Sequence, residues 1–259
     1  MKQAILVVSF GTSYPDTRKK TIEKLEEEIR QASPNCTVYR AWTSKMIIRK
    51  LRERDQLIIH TVPEALEQME KDGITDLIVQ PTHIINGIEN DQMKQEILAK
   101  KSVFSTIRFG DPLLTTTEDH VSVLKALMEE YSDLPEDEAI VFMGHGTTHH
   151  ANAVYAALDY TLKDLGYPRA YMGTVEAYPS LEHIFRRLQE ASVRRVHLVP
   201  FMLVAGDHAN NDMASDDKDS WRSQFEAAGY EVVCHLKGLG ECKGIRNIYL
   251  EHLKQCKNA

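Results

Sequence analysis

Ala139-Ile-Val-Phe-Met-Gly-His-Gly-Thr-Thr-His-His150 decides how this chain is read. Its opening residues are an apolar run of the kind that forms a buried strand, and Gly144-His145-Gly146 breaks it. The break leaves a histidine between two glycines at the strand's carboxyl end, the edge at which open α/β sheets bind ligands. The glycines permit a sharp turn and promise space beside the imidazole. The chain's start carries the same pattern: Ala4-Ile-Leu-Val-Val-Ser-Phe-Gly-Thr-Ser13 aligns with residues 139–148 without a gap, Phe10 opposite His145. A second match sets residues 78–89 against 197–208, with Pro81 opposite Pro200, Gly87 opposite Gly206 and Glu89 opposite His208. Two matches in the same order predict duplicated α/β halves, with loops from both lining a cleft.

The remaining patterns fill in those halves. Strands are expected at Ala4–Val8, Val38–Trp42, Leu77–Gln80 and Phe104–Phe109, separated by helices over 15–32, 46–54 (capped by Ser44), 61–71 and 89–99. Thr61-Val-Pro-Glu64 reads as a capping box with proline in the first turn. A crossover helix over Thr116–Tyr131 leads to the central strand at 139–143. The second half then runs helix 149–165, strand 170–176, helix 179–190, strand 196–201, helix 217–228, strand 231–236 and a closing helix 245–255. Strands joined through helices call for parallel sheets with crossover connections.

Composition bounds the function. A net charge of −7 disfavours a nucleic-acid partner, but permits a local basic patch for an anionic small molecule. No segment approaches the roughly 18 apolar residues of a membrane span, and the N-terminal apolar run is too short for a signal peptide. No membrane partner is therefore expected, and a cytoplasmic protein is. Cys36, Cys234, Cys242 and Cys256 contain no Cys-x-x-Cys pair and read as free thiols. No nucleotide cofactor is expected, because neither a Gly-x-Gly-x-x-Gly nor a Walker lysine follows the first strand.

Three strand-end loops of the second half supply His145, Glu176 and His208. Imidazole with carboxylate suits a divalent ion of the later first row, and three protein ligands leave positions open for a reacting group. A lone histidine here reads as a hydrogen-bonded loop residue; the three together, on one sheet edge, read as a functional site. His149 and His150 either extend it or sit solvated in a first helical turn. The acidic run Asp212–Asp219 either attracts a metal or, as is commoner, caps a helix through Ser215 or Asp216. Arg49, Lys50, Arg52 and Arg54 offer a basic helix face, either solvated or meeting anionic substituents.

Val7-Val-Ser-Phe-Gly-Thr-Ser13, Met46-Ile-Ile-Arg-Lys-Leu-Arg52, His83-Ile-Ile-Asn-Gly87, Phe142-Met-Gly-His-Gly146, Val175-Glu-Ala-Tyr-Pro179 and Leu203-Val-Ala-Gly-Asp-His-Ala209 together resemble the anaerobic sirohydrochlorin cobaltochelatases of cobalamin biosynthesis, over essentially the whole chain. The resemblance implies the class II chelatase fold: two similar α/β domains, each with a central parallel four-stranded sheet, and an active-site cleft between them. It implies that His145 and His208 are catalytic, metal-binding histidines and Glu176 the accompanying carboxylate. It implies cobalt(II) as substrate metal and the tetrapyrrole sirohydrochlorin as the other substrate. Domains are expected at 1–115 and 116–259, the closing helix left free to pack back on the first. Substrate contacts are expected from Ser9, Phe10, Gly11, Thr12, His83, Gly87 and Glu89 in the first half and Gly144, Gly146 and Met202 in the second. A chelatase for iron or nickel, a non-catalytic metal or tetrapyrrole carrier, and a homo-oligomer stay open at this point.

Overall fold

The computed structural model describes residues 2–189 and 191–259. In chain order the elements are β1 (Gln3–Ser9), α1 (Pro15–Lys20), α2 (Ile22–Ala32), β2 (Thr37–Trp42), α3 (Lys45–Asp55), α4 (Val62–Lys71), β3 (Asp76–Pro81), α5 (Ile88–Leu98) and β4 (Thr106–Phe109). Then follow α6 (Thr117–Met128), β5 (Glu138–Gly144), α7 (Ala153–Asp164), β6 (Ala170–Thr174), α8 (Leu181–Leu188) and β7 (Arg195–Pro200). The chain finishes with α9 (Trp221–Ala227), β8 (Glu231–Cys234), α10 (Lys243–Lys254) and β9 (Lys257–Asn258). It divides into two compact units, one ending at Thr115 and resumed at Lys243–Ala259, the other Thr116–Cys242. None of the described helices is long and apolar enough to cross a membrane.

The two sheets repeat one topology. The first has the order β2-β1-β3-β4-β9 and the second β6-β5-β7-β8, with every pairing parallel except that of β9. The internal repeat survives as hydrogen-bond register: Val8 faces Pro81 in the first unit, and Met143 faces Pro200 in the second. Prolines fit at those positions because each ends its strand. Past the strand ends the match continues. Thr43 and Ser44 donate backbone N–H groups to Ser9 and Phe10, while Val175 and Glu176 donate theirs to Gly144 and His145. The central strands β1 and β5 are buried on both faces, Ala4 to Ser9 and Glu138 to Gly144, as parallel sheets covered by helices require.

Several elements differ from the expectation, each for a local reason. One helix expected over 15–32 breaks at Thr21 (φ −117°, ψ −83°), whose buried hydroxyl donates to the Thr17 carbonyl at 2.6 Å and bends the chain. Phe104 lies ahead of β4 and packs in the first core instead of extending the strand. Ser44 caps α3 and Thr61 with Glu64 forms the capping box of α4. The cap of α9 is Ser220, whose hydroxyl accepts from Ser223 N at 3.1 Å, and not Ser215 or Asp216. The helix expected over 179–190 begins at Leu181, and Glu190 lies outside the described residues. The first sheet gains a fifth strand: β9 pairs antiparallel with β4, covering the open edge that four parallel strands would leave.

β9 reaches that edge because α10 belongs to the first unit. Arg246 holds Glu28 at 3.0 Å, the Tyr249 hydroxyl donates to the Thr82 carbonyl at 2.8 Å, and His252 Nδ1 meets the Asp111 carbonyl at 3.1 Å. Tyr249 is fully buried.

Candidate metal centre

The site is assembled at the carboxyl edge of the second sheet. After β5 the chain turns through Gly146, whose φ of +85° is costly for any residue with a Cβ. A Cβ there would also stand 2.9 Å from Ala177 N. The space beside Gly144 is taken by the ring of Tyr155, with which a Cβ at that position would collide. Gly146 N–H reaches the Tyr155 phenol, and burial pushes that hydroxyl's pKa up to about 12, so it stays protonated. The glycines therefore serve close packing beneath the turn as much as room above it.

Backbone pairing then brings the carboxylate to the histidine. Because Glu176 N donates to the His145 carbonyl at 3.0 Å, the loops after β5 and β6 leave the sheet side by side. Asn152 ties them again: its Oδ1 accepts from Thr147 N at 3.1 Å and its Nδ2 donates to the Tyr178 carbonyl at 2.7 Å. His208 arrives from the loop after β7 and opens a single π-helical turn, Ala209–Met213. Such turns recur at functional sites because they reposition one side chain relative to its neighbours.

Potential ligand atoms of His145, Glu176 and His208 all lie within 4.8 Å of one another. The two imidazoles meet edge to face, ring centroids 4.5 Å apart, and Glu176 Oε2 stands 3.8 Å from His145 Nδ1. Each histidine is oriented by an acceptor on Nδ1: the Gly146 carbonyl at 2.8 Å for His145, the Asp212 carboxylate at 2.7 Å for His208. A carbonyl and a carboxylate can only accept, so both imidazoles donate from Nδ1, the tautomer that leaves Nε2 as the ligand atom of a neutral ring. A carboxylate behind a ligating histidine fixes its ring and raises its basicity. Asp212, which meets His208 Nδ1, is the neighbour of the candidate site that sequence reasoning missed. Its signal was the four-residue spacing from His208, hidden in a run read as a helix cap.

The other expected contacts are distributed unevenly. In the first unit Phe10 is 45% exposed, whereas Ser9, Thr12 and His83 are buried. The Ser9 hydroxyl accepts from Thr82 Oγ1, and Thr12 Oγ1 accepts from Tyr14 N. Gly11 (φ +105°) lies against Trp42, Gly87 caps α5, and Glu89 sits half-buried in that helix's first turn. Burial drives the pKa of His83 down to about 4, leaving a neutral imidazole beside Asn90. In the second unit Met202 is half-buried and packs against the core. His149 Nδ1 accepts from Ala151 N, capping the short turn before α7, with the His150 ring tilted against it, centroids 3.9 Å apart.

Fold and donors together describe a duplicated parallel α/β protein able to take up a divalent first-row ion at one strand edge. The family model described as Cobalt chelatase (CbiK) matches residues 3–258, and the chain belongs to that family. It is 45% identical over 258 residues to a sirohydrochlorin cobaltochelatase of Salmonella typhimurium, covering 100% of this chain and 97% of that one. It is 33% identical over 261 residues to the sirohydrochlorin cobaltochelatase CbiKC of Nitratidesulfovibrio vulgaris, covering 100% and 92%. Among solved structures it resembles the sirohydrochlorin chelatase SirB from Bacillus subtilis in complex with cobalt, with a TM-score of 0.67, 14% identity and coverage of 98% and 95%. At that identity the likeness is one of fold.

Proposed function

We infer that this chain inserts cobalt(II) into sirohydrochlorin. The observation that carries the reading is identity of 45% along the whole chain with a relative named for that reaction. The His145, Glu176 and His208 cluster supplies a physical route. In the reaction two ring N–H protons leave as four ring nitrogens take the metal, so the site needs a metal held loosely and acceptors for protons. Two imidazole Nε2 atoms and one carboxylate make three donors, leaving coordination positions for incoming ring nitrogens. Because donors of this kind exchange readily with nitrogen ligands, the ring can displace them in turn. Imidazole and carboxylate both serve as proton acceptors, and Glu176, largely exposed, can pass a proton to water. Met202, in the same unit as the three donors, is assigned to apolar contact with the macrocycle. No phosphoryl donor enters this chemistry, so no nucleotide is required. Four free thiols suit a reducing compartment, and the reaction is assigned to the cytoplasm.

The test is an anaerobic spectrophotometric assay with sirohydrochlorin in excess over protein. Cobalt insertion should turn over repeatedly. His145→Ala and His208→Ala should each lower kcat by about 10²-fold or more. Uptake that stops at one equivalent per chain would refute catalysis, and faster turnover with iron or nickel under matched concentrations would refute the choice of cobalt.

A further inference from the structure

β6 is an outer strand of the second sheet, and side chains of α7 close its free edge. Asp159 Oδ1 accepts from Met172 N at 3.0 Å, and the Lys163 ammonium donates to the Ala170 carbonyl. Further along, the Pro179 carbonyl accepts from Thr174 N at 2.7 Å. These bonds take up peptide groups that an added strand would need. Asp159 is buried and shared between cations: Lys163 Nζ stands 3.2 Å from Oδ1, and the Arg187 guanidinium donates to Oδ2. Lys163 and Arg187 also lie over the Tyr171 ring, 4.2 and 5.2 Å from its centroid.

Beside this edge, residues of α7, β6 and α8 line a hollow of about 440 Å³. Its buried lining is apolar, with Met172, Ile184 and Pro179; Tyr178 and Arg186 are exposed, and His183 is half-buried. The hollow lies wholly within the second unit, and none of His145, Glu176 and His208 lines it. Closing the edge accounts for Asp159, Lys163 and Arg187, but not for what remains. Arg186 has no ion-pair partner among the described residues. His183 and Arg186 are three residues apart on α8 and share a face. His183 Nδ1 meets Ser180 Oγ at 2.8 Å; when that hydroxyl donates, the ring's Nε2–H is left to donate in turn. Tyr178, 58% exposed, sets its ring edge to face against His183 at 4.7 Å.

The charge is out of keeping with the chain. Lys163, Arg186 and Arg187 gather around one carboxylate, in a protein of net charge −7. That excess selects an anion, and a guanidinium fork fits the paired oxygens of a phosphate or carboxylate. The apolar lining selects a hydrocarbon or aromatic body behind the charged head. The volume is in the range of small-molecule pockets.

We propose that the hollow beside β6 binds a small organic oxyanion, its phosphate or carboxylate head on Arg186 and His183 and its apolar body against Met172 and Ile184.

The experiment titrates phenyl phosphate, phenylacetate and inorganic phosphate into the full, metal-free chain by calorimetry, in a buffer without other oxyanions. At least one aromatic anion should saturate at one site per chain, and the tighter of the two names the head group. Inorganic phosphate should bind at least about tenfold more weakly than phenyl phosphate, because it leaves the apolar lining uncovered. Arg186→Ala should weaken the aromatic anion about three- to fivefold, the range of an exposed charge pair, and Arg186→Glu should abolish binding. Both variants should melt as the wild type does, since Arg186 is exposed and unpaired. Added salt should weaken the wild type more than Arg186→Ala. Without any probe, cobalt insertion by Arg186→Ala should match the wild type. The site is refuted if neither aromatic anion saturates, or if all three proteins bind alike. Inorganic phosphate as tight as phenyl phosphate would mean an adventitious ion only. Displacement of phenyl phosphate by sirohydrochlorin, with a raised KM for the ring in Arg186→Ala, would make the hollow part of the ring's own site and overturn the proposal.

Discussion

Asp212 offers the sharpest test of the metal centre. Its carboxylate accepts from His208 Nδ1 at 2.7 Å across one turn of the π-helical segment. Removing it frees the imidazole to rotate and takes away the acceptor that fixes the Nδ1–H tautomer. Loss of such an outer partner generally costs 10- to 100-fold in metal affinity or activity. Here His208 is 33% exposed and Asp212 45% exposed, so water can partly replace the carboxylate. The expected cost for Asp212→Ala is therefore at the lower end, about tenfold, or about 1.4 kcal/mol. Asp212→Asn separates orientation from charge, because its amide oxygen still accepts from Nδ1–H. It should cost only about two- to threefold. Cobalt(II) titrations followed by the ion's visible absorption give affinity, and insertion assays give the KM for cobalt. The ring's KM should not change. An Asp212→Ala protein with wild-type cobalt affinity and kinetics would refute the orienting role.

Three further outcomes follow from the geometry. Gly146→Ala must adopt φ near +85° and bring a Cβ to 2.9 Å from Ala177 N; it should lose at least about 1–2 kcal/mol in urea unfolding and most insertion activity. A variant as stable and active as the wild type would show that the turn tolerates a side chain. Asn152→Ala should reduce kcat severalfold with a stability loss of about 1 kcal/mol, because one amide holds both loops; unchanged kcat would assign the bridge to packing alone. His83 is buried, and desolvation sets its folded pKa at about 4, below the unfolded value of about 6.5. Between those values the unfolded chain binds a proton that the folded chain refuses, so stability falls as pH drops from about 6.5 toward 4. The loss from pH 7 to pH 5 should be on the order of 1–2 kcal/mol, and His83→Gln should flatten that slope in urea unfolding; an equal slope in both proteins would contradict it.

Much of the architecture was legible because the chain repeats itself. Two matches, Ala4–Ser13 with residues 139–148 and residues 78–89 with 197–208, anticipated duplicated α/β halves, and the observed registers, Val8 to Pro81 and Met143 to Pro200, pair the matched positions. That His145, Glu176 and His208 would cluster was legible because strand ends on one edge must lie near each other. What escaped the reading was set by tertiary contact. β9 is a two-residue polar strand with no hydrophobic signal, and only the open edge of β4 makes it a strand. The break at Thr21 depends on one side chain bonding its own helix. That Tyr155 fills the space at Gly144 cannot be seen from residues 11 positions apart until α7 is folded onto β5. The repeat also explains a difference between the halves: Ser44 occupies the position of Glu176 in the ladder and caps α3 instead of offering a carboxylate.

The return of α10 to the first unit has a consequence for how the protein is made. A ribosome delivers β1 to β4 early, yet Glu28, the Thr82 carbonyl and the β4 edge must wait for Arg246, Tyr249 and β9. Thr116–Cys242 contains every strand of its own sheet and is synthesised without interruption. During translation the later half can therefore reach its finished state before the earlier one, reversing the usual N-terminal-first order of domain folding. The nascent first half is left with an unpaired β4 edge for the time needed to synthesise the second.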